Sequence, residues 1–103
     1  MALTLHEAQA QVDASIQSLG GYWPPLVNLA RLFEECGEVA RVVNQTHGAK
    51  RRKVGETTGD AKDEIGDALY VLIVLANSLG IDLEESLATV IAKYAHRDTH
   101  PTS

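Results

Sequence analysis

Glu35 and Glu38 stand three residues apart in the stretch LFEECGEVARVVN, and Glu64 and Asp67 repeat that spacing in KDEIGDALYVL. Residues three apart on a helix share a face, so each pair presents two carboxylates to one side. Both pairs border apolar positions rather than lying opposite them. Glu35 is flanked by Leu32 and Val39, and Asp67 precedes Val71 by one turn. Four carboxylates converging between packed helices repel one another unless a hard divalent cation neutralises them. Mg²⁺ suits such a set, since it takes oxygen ligands, keeps some waters and also binds substrate phosphates. Solvated acidic helix faces are the other reading, with Glu64 and Asp67 favoured near a helix N-terminus. Spacing alone leaves both open.

Four helices are predicted to position these residues. The first starts at a capping box formed by Thr4 and Glu7 and stops at Gly20-Gly21. Pro24-Pro25 opens the second, whose periodicity runs from Leu26 to about Gln45. The stretch from Gly48 to Asp60, GAKRRKVGETTGD, reads as a loop, because glycines and four consecutive basic residues break any apolar period. Asp60 caps the third helix, which continues to Leu79 and ends at Gly80. Asp82 and Glu85 repeat the capping spacing and begin a fourth, reaching about Arg97. No strand alternation is present, so the expected class is all-α.

Helical wheels place Leu29, Leu32, Cys36, Val39 and Val43 on one stripe of the second helix, with Cys36 as a small buried hydrophobe. Leu69, Leu72, Leu75, Ala76 and Leu79 form the stripe of the third, and Val71, Ile73 and Val74 extend its apolar surface well round the cylinder. A helix apolar on most sides must be covered on most sides. A homodimer or homotetramer is therefore expected.

The 103 residues bound the answer to a single domain over 1–103. A net charge of -5 gives no broad electrostatic footprint for duplex nucleic acid. The apolar run from Ala68 to Ala76 is about half of what a membrane-spanning helix needs. With one cysteine and no signal-peptide pattern at the N-terminus, the chain reads as cytoplasmic. The histidines show no ligand spacing, and there is no glycine-rich phosphate loop of the Walker type.

In their order and flanking text, EECGE at Glu34 to Glu38 and EIGD at Glu64 to Asp67 resemble the EExxE and ExxD signatures of a known family. It is that of the MazG-like all-α nucleoside triphosphate pyrophosphohydrolases, in particular their short single-domain YpjD type. The resemblance extends from about the first helix through IAKYAHRD. It implies a four-helix, bundle-like fold completed by oligomerisation. It also implies that Glu35, Glu38, Glu64 and Asp67 ligate Mg²⁺, with Mn²⁺ as a substitute, and that Glu34 or Glu38 activates the attacking water. An exposed helix glutamate is the competing reading of Glu34, which lies about 100° round the helix from Glu35. The implied reaction cleaves a (deoxy)nucleoside triphosphate to monophosphate and pyrophosphate, clearing unwanted nucleotides. A related all-α hydrolase acting on another phosphoanhydride, such as phosphoribosyl-ATP, is an alternative. So is a non-catalytic helical oligomerisation or metal-binding module.

Further residues suit substrate contacts. Lys93 and Arg97, four apart in the family-like KYAHR segment, can point at one phosphate, or can simply complement a helix C-terminus. Trp23, beside Tyr22 in the family-like lead-in, suggests stacking on a base, with a packing or subunit contact as the alternative. Asn28 and Arg31 share a side of the second helix with Glu35, and Arg31 could instead pair with Glu35. Asn77 interrupts an apolar helix and could bind a nucleotide or a facing helix. Lys50, Arg51, Arg52 and Lys53 read as a solvated run or as a reach toward the triphosphate.

Overall fold

A computed structural model of the chain describes residues 2–47 and 60–99. The basic run at Lys50 to Lys53 lies outside the described residues. Four helices and no strand are present among those described: α1 (Leu5–Ser18), α2 (Pro25–His47), α3 (Ala61–Ser78) and α4 (Leu83–Thr99). The predicted punctuation sets their ends. Glu7 N–H donates to Thr4 Oγ1 at 3.1 Å and Thr4 N–H donates to Glu7 Oε1 at 3.0 Å, completing the capping box of α1. Lys62 N–H donates to Asp60 Oδ1 at 2.9 Å at the start of α3. Gly80 takes a φ of 69°, letting Ile81 N–H reach back to the Ala76 carbonyl at 2.9 Å and close α3. Only glycine adopts that left-handed backbone at little cost.

Helices α2 and α3 form the principal packed pair. Asn28 shares a cavity with Val74, whereas Glu35 meets Asp67 further along. Numbering thus rises on one helix as it falls on the other, and the pair is antiparallel. Helix α1 lies across α3, where Val12, Ile73 and Val74 form a small core covered by Ala8, Ile16, Tyr22 and Leu83. Helix α4 leaves α3 at a bend of 107°. No described helix is by itself long and apolar enough to cross a membrane.

The buried seams differ from the predicted stripes. On α2 the fully buried positions are Asn28 and Val42, with Glu35 half-buried between them, while Cys36 and Val43 are exposed. The inward face is rotated by about one residue, roughly 100°, from the stripe of apolar residues. Polar Asn28 and Glu35 occupy it, and a wheel that scores only hydrophobicity misses them. On α3 the buried residues are Val71, Ile73, Val74 and Ala76, and Leu69, Leu72 and Leu79 remain 40–52% exposed. The chain is correspondingly open. Its radius of gyration is 17.1 Å, against about 13 Å for a compact chain of this length.

Asn77, for which the sequence left a nucleotide or a facing helix open, takes part in the packing of α1 on α3. Its Nδ2 donates to the Gln9 carbonyl at 3.0 Å and its Oδ1 accepts from Gln9 Nε2 at 2.8 Å. Gln9 also bridges the α3–α4 turn, donating to the Ile81 carbonyl and accepting from Leu83 N–H. Both ends of the Asn77 amide are occupied within the fold.

A histidine with no sequence signal provides a second tie between α1 and α4. His6 Nε2 lies 3.0 Å from both Asp82 carboxylate oxygens, and Nδ1 lies 2.9 Å from Glu84. Only a protonated ring can donate from both nitrogens. The Asp82 hydrogen bond, then the Asp82 and Glu84 charges, raise the His6 pKa above its ordinary 6.5. A pKa raised on folding stabilises the fold below the unfolded value, and that contribution disappears as pH rises through the folded value. His6→Ala should therefore lower the melting temperature below pH 6.5 and leave it unchanged above the raised pKa. A pH-independent difference between variant and parent would show that the charge contributes nothing.

Candidate active site

The antiparallel pairing brings together three of the four candidate ligands. Carboxylate oxygens of Glu35, Glu64 and Asp67 all lie within 4.8 Å of one another. Octahedral Mg²⁺ with bonds of about 2.1 Å places its oxygens roughly 3.0–4.2 Å apart, so small rotamer adjustments bring the three into one shell. The donor set is all oxygen and suits a hard cation. Partial burial pushes the Glu64 carboxyl above the usual carboxylate range, and the charges of Asp67, Glu38 and Glu35 push it further, with Arg41 opposing them. Glu38 thus contributes to the local field, but two N–H groups of Arg41 converge on its Oε2 at 2.9 and 3.1 Å. Its other oxygen is free of that pair. Glu34 is exposed on the adjoining face of α2.

Two turns before Glu35 on α2, a cavity of about 160 Å³ opens between α1, the Gly21–Trp23 link, α2 and α3. Trp23, Asn28, Arg31 and Tyr22 line it, with Ile16 and Val74 among its apolar walls. The Arg31 guanidinium sits 5.4 Å from the centroid of the Trp23 ring, in cation–π contact. Among the described residues it makes no ion pair with Glu35. From Asn28 to Glu35 is seven residues, or about 10 Å along the helix. The cavity and the carboxylates therefore occupy one continuous face.

Lys93 and Arg97 are exposed on α4 and make no ion pair among the described residues. Their cations lie 5.6 and 5.1 Å from the centroid of the Tyr94 ring. Asn77, ten residues beyond Asp67, is about 15 Å further along α3. The cavity behind Trp23 was not foreseen from sequence, because its walls come from three helices and a link. Gly20 and Gly21, both at positive φ, were the local sign that the chain turns sharply there.

The MazG nucleotide pyrophosphohydrolase domain family matches residues 24–102. The protein YpjD of Bacillus subtilis (strain 168) is 48% identical over 96 residues, covering 92% of this chain and 86% of that protein. A crystal structure of YPJD from Bacillus subtilis superimposes with a TM-score of 0.82 at 45% identity, covering 91% of this chain and 97% of that one. The crystal structure of the Bacillus-conserved MazG protein, a nucleotide pyrophosphohydrolase, gives a TM-score of 0.78 at 42% identity, covering 90% of each chain. The family match and the fold define an all-α hydrolase acting on nucleotide anhydrides. The chain belongs to the MazG nucleotide pyrophosphohydrolase family.

Proposed function

We propose that this chain hydrolyses (deoxy)nucleoside triphosphates between the α and β phosphorus atoms in a Mg²⁺-dependent reaction, releasing monophosphate and pyrophosphate and clearing unwanted nucleotides. One observation carries the reading: three converging carboxylates lie about two helical turns from a cavity walled by an indole, an amide and a guanidinium. A nucleotide laid along α2 would place its base in the cavity and its phosphates at the carboxylates.

Glu35, Glu64 and Asp67 would hold Mg²⁺, or Mn²⁺ in its place, with Glu38 beside them. The bound ion would offset phosphate charge and acidify a water. Glu38, through the oxygen not facing Arg41, or Glu34 would orient that water and take its proton. Arg31 lies between cavity and carboxylates on the same helix and supplies a positive charge to the phosphate chain. Incubating the protein with a panel of nucleotides and Mg²⁺, and identifying products by chromatography, tests the reading. Monophosphate and pyrophosphate are expected. Release of inorganic phosphate alone, or cleavage of phosphoribosyl-ATP but no triphosphate, would overturn it.

The active form is a homodimer or homotetramer on the same proposal. Leu26, Phe33, Leu87, Ile91 and Tyr94 are 48–79% exposed, and α4 has no buried residue among those described. So much bare apolar surface is unusual in a stable monomer. A neighbouring α4 would bring Lys93 and Arg97 toward the leaving pyrophosphate. Light scattering at micromolar concentration should give at least twice the 11.1 kDa chain mass. A monomer would remove the claim.

A further inference from the structure

Asn28 is 1% exposed, yet its amide is only partly satisfied. Its Nδ2 donates to the Trp23 carbonyl at 3.2 Å, and that carbonyl fixes the orientation of the amide because it can only accept. The Asn28 Oδ1 has no partner among the described residues. A buried carbonyl left without a donor is costly, and native folds rarely retain one without a use. This one belongs to a residue that lines the cavity under Trp23.

The neighbouring polar groups do not satisfy it from within. The Tyr22 hydroxyl donates its single proton to Asp13 Oδ1 at 2.6 Å, and the Arg31 guanidinium, which lies over Trp23, makes no hydrogen bond to Asn28 among the described residues. A phosphate oxygen cannot serve either, since ionised phosphate offers acceptors only. A neutral N–H donor on the edge of a flat group that fits against indole would supply the missing partner. We propose that Asn28 is a specificity-determining residue whose Oδ1 accepts a hydrogen bond from an edge N–H of the substrate nucleobase. This rests on the nucleotide reading above and adds a selection rule to it: a base lacking the N–H is bound poorly whatever its phosphate chain.

Trp23 is the sole tryptophan of the chain, so its fluorescence reports on this cavity alone. Nucleoside monophosphates titrated with EDTA present read binding without metal or turnover. The tightest of the four natural monophosphates is compared with its analogue lacking the edge N–H. For adenine or cytosine the amino group is replaced by hydrogen; for uracil the ring nitrogen is methylated, and for guanine, which has two edge donors, both changes are made. The analogue should bind about 10- to 100-fold more weakly to the parent protein. In Asn28→Leu the two should bind alike. The parent comparison stands even where that variant does not fold.

Equal binding of the pair by the parent protein would overturn the inference. So would discrimination that persists in a folded Asn28→Leu, or the absence of quenching by every nucleotide. An affinity loss that follows removal of a sugar hydroxyl rather than the base N–H would also overturn it. Triphosphate hydrolysis with equal binding of the pair would fail this inference and leave the hydrolase reading standing. Discrimination without hydrolysis in Mg²⁺ would do the reverse.

Discussion

Glu35→Gln and Asp67→Asn should each lower kcat/KM for nucleoside triphosphate hydrolysis by about a thousand-fold, the scale of losing a principal electrostatic contact at the reacting group. Both substitutions keep shape and hydrogen-bonding reach, and each removes one charge from a trio whose oxygens lie within 4.8 Å. Removing a mutually repelling charge cannot weaken the metal-free fold electrostatically. Melting temperature in EDTA should therefore stay level or rise while activity collapses. Ordinary solvated helix carboxylates would give no change in either property. Full activity in both variants would remove the metal centre and the mechanism with it. Glu38→Gln separates a further point. Arg41 already compensates that charge, so the variant should relieve less repulsion in the metal-free protein than Glu35→Gln does.

The second large effect is the response of stability to Mg²⁺. A cation that binds the folded form alone stabilises it by about 2.7 kcal/mol at a hundred times its dissociation constant. For a domain of this size that is a rise in melting temperature on the order of 10 °C. Sodium chloride at matched ionic strength should give far less, because screening weakens repulsion without supplying a ligand. In Asp67→Asn the Mg²⁺-specific part should shrink to near the salt control. Equal shifts from the two salts in the parent protein would reduce the cluster to an acidic patch.

The two acidic spacings, the helix ends and the all-α class were legible because each is local. Capping boxes, glycine at a left-handed position and i, i+3 pairs depend on residues a turn apart, and Thr4, Asp60, Gly80 and Asp82 act at the predicted places. The buried seams were less legible. Apolar periodicity assigned the inward face of α2 to the stripe through Cys36, whereas the packed face carries Asn28, Glu35 and Val42. Hydrophobic pattern reports what must leave water. In an open chain much of that surface stays uncovered by the chain itself, so pattern alone could not say which stripe faces α3.

Sequence by itself determined which side chains could carry the chemistry, because carboxylate spacing on a helix follows from the 3.6-residue turn. Tertiary structure decided how they combine. The α2–α3 register put Glu35 against Asp67 and Glu64 but not Glu38, which pairs with Arg41 on its own helix, and the docking of α1 on α3 engaged Asn77. It also set an unsatisfied Asn28 carbonyl in a cavity built from three helices and a link. His6 meets Asp82 across 76 residues of sequence. Such pairings depend on the relative placement of whole helices, which is set by the sum of many weak packing contacts and by no short motif.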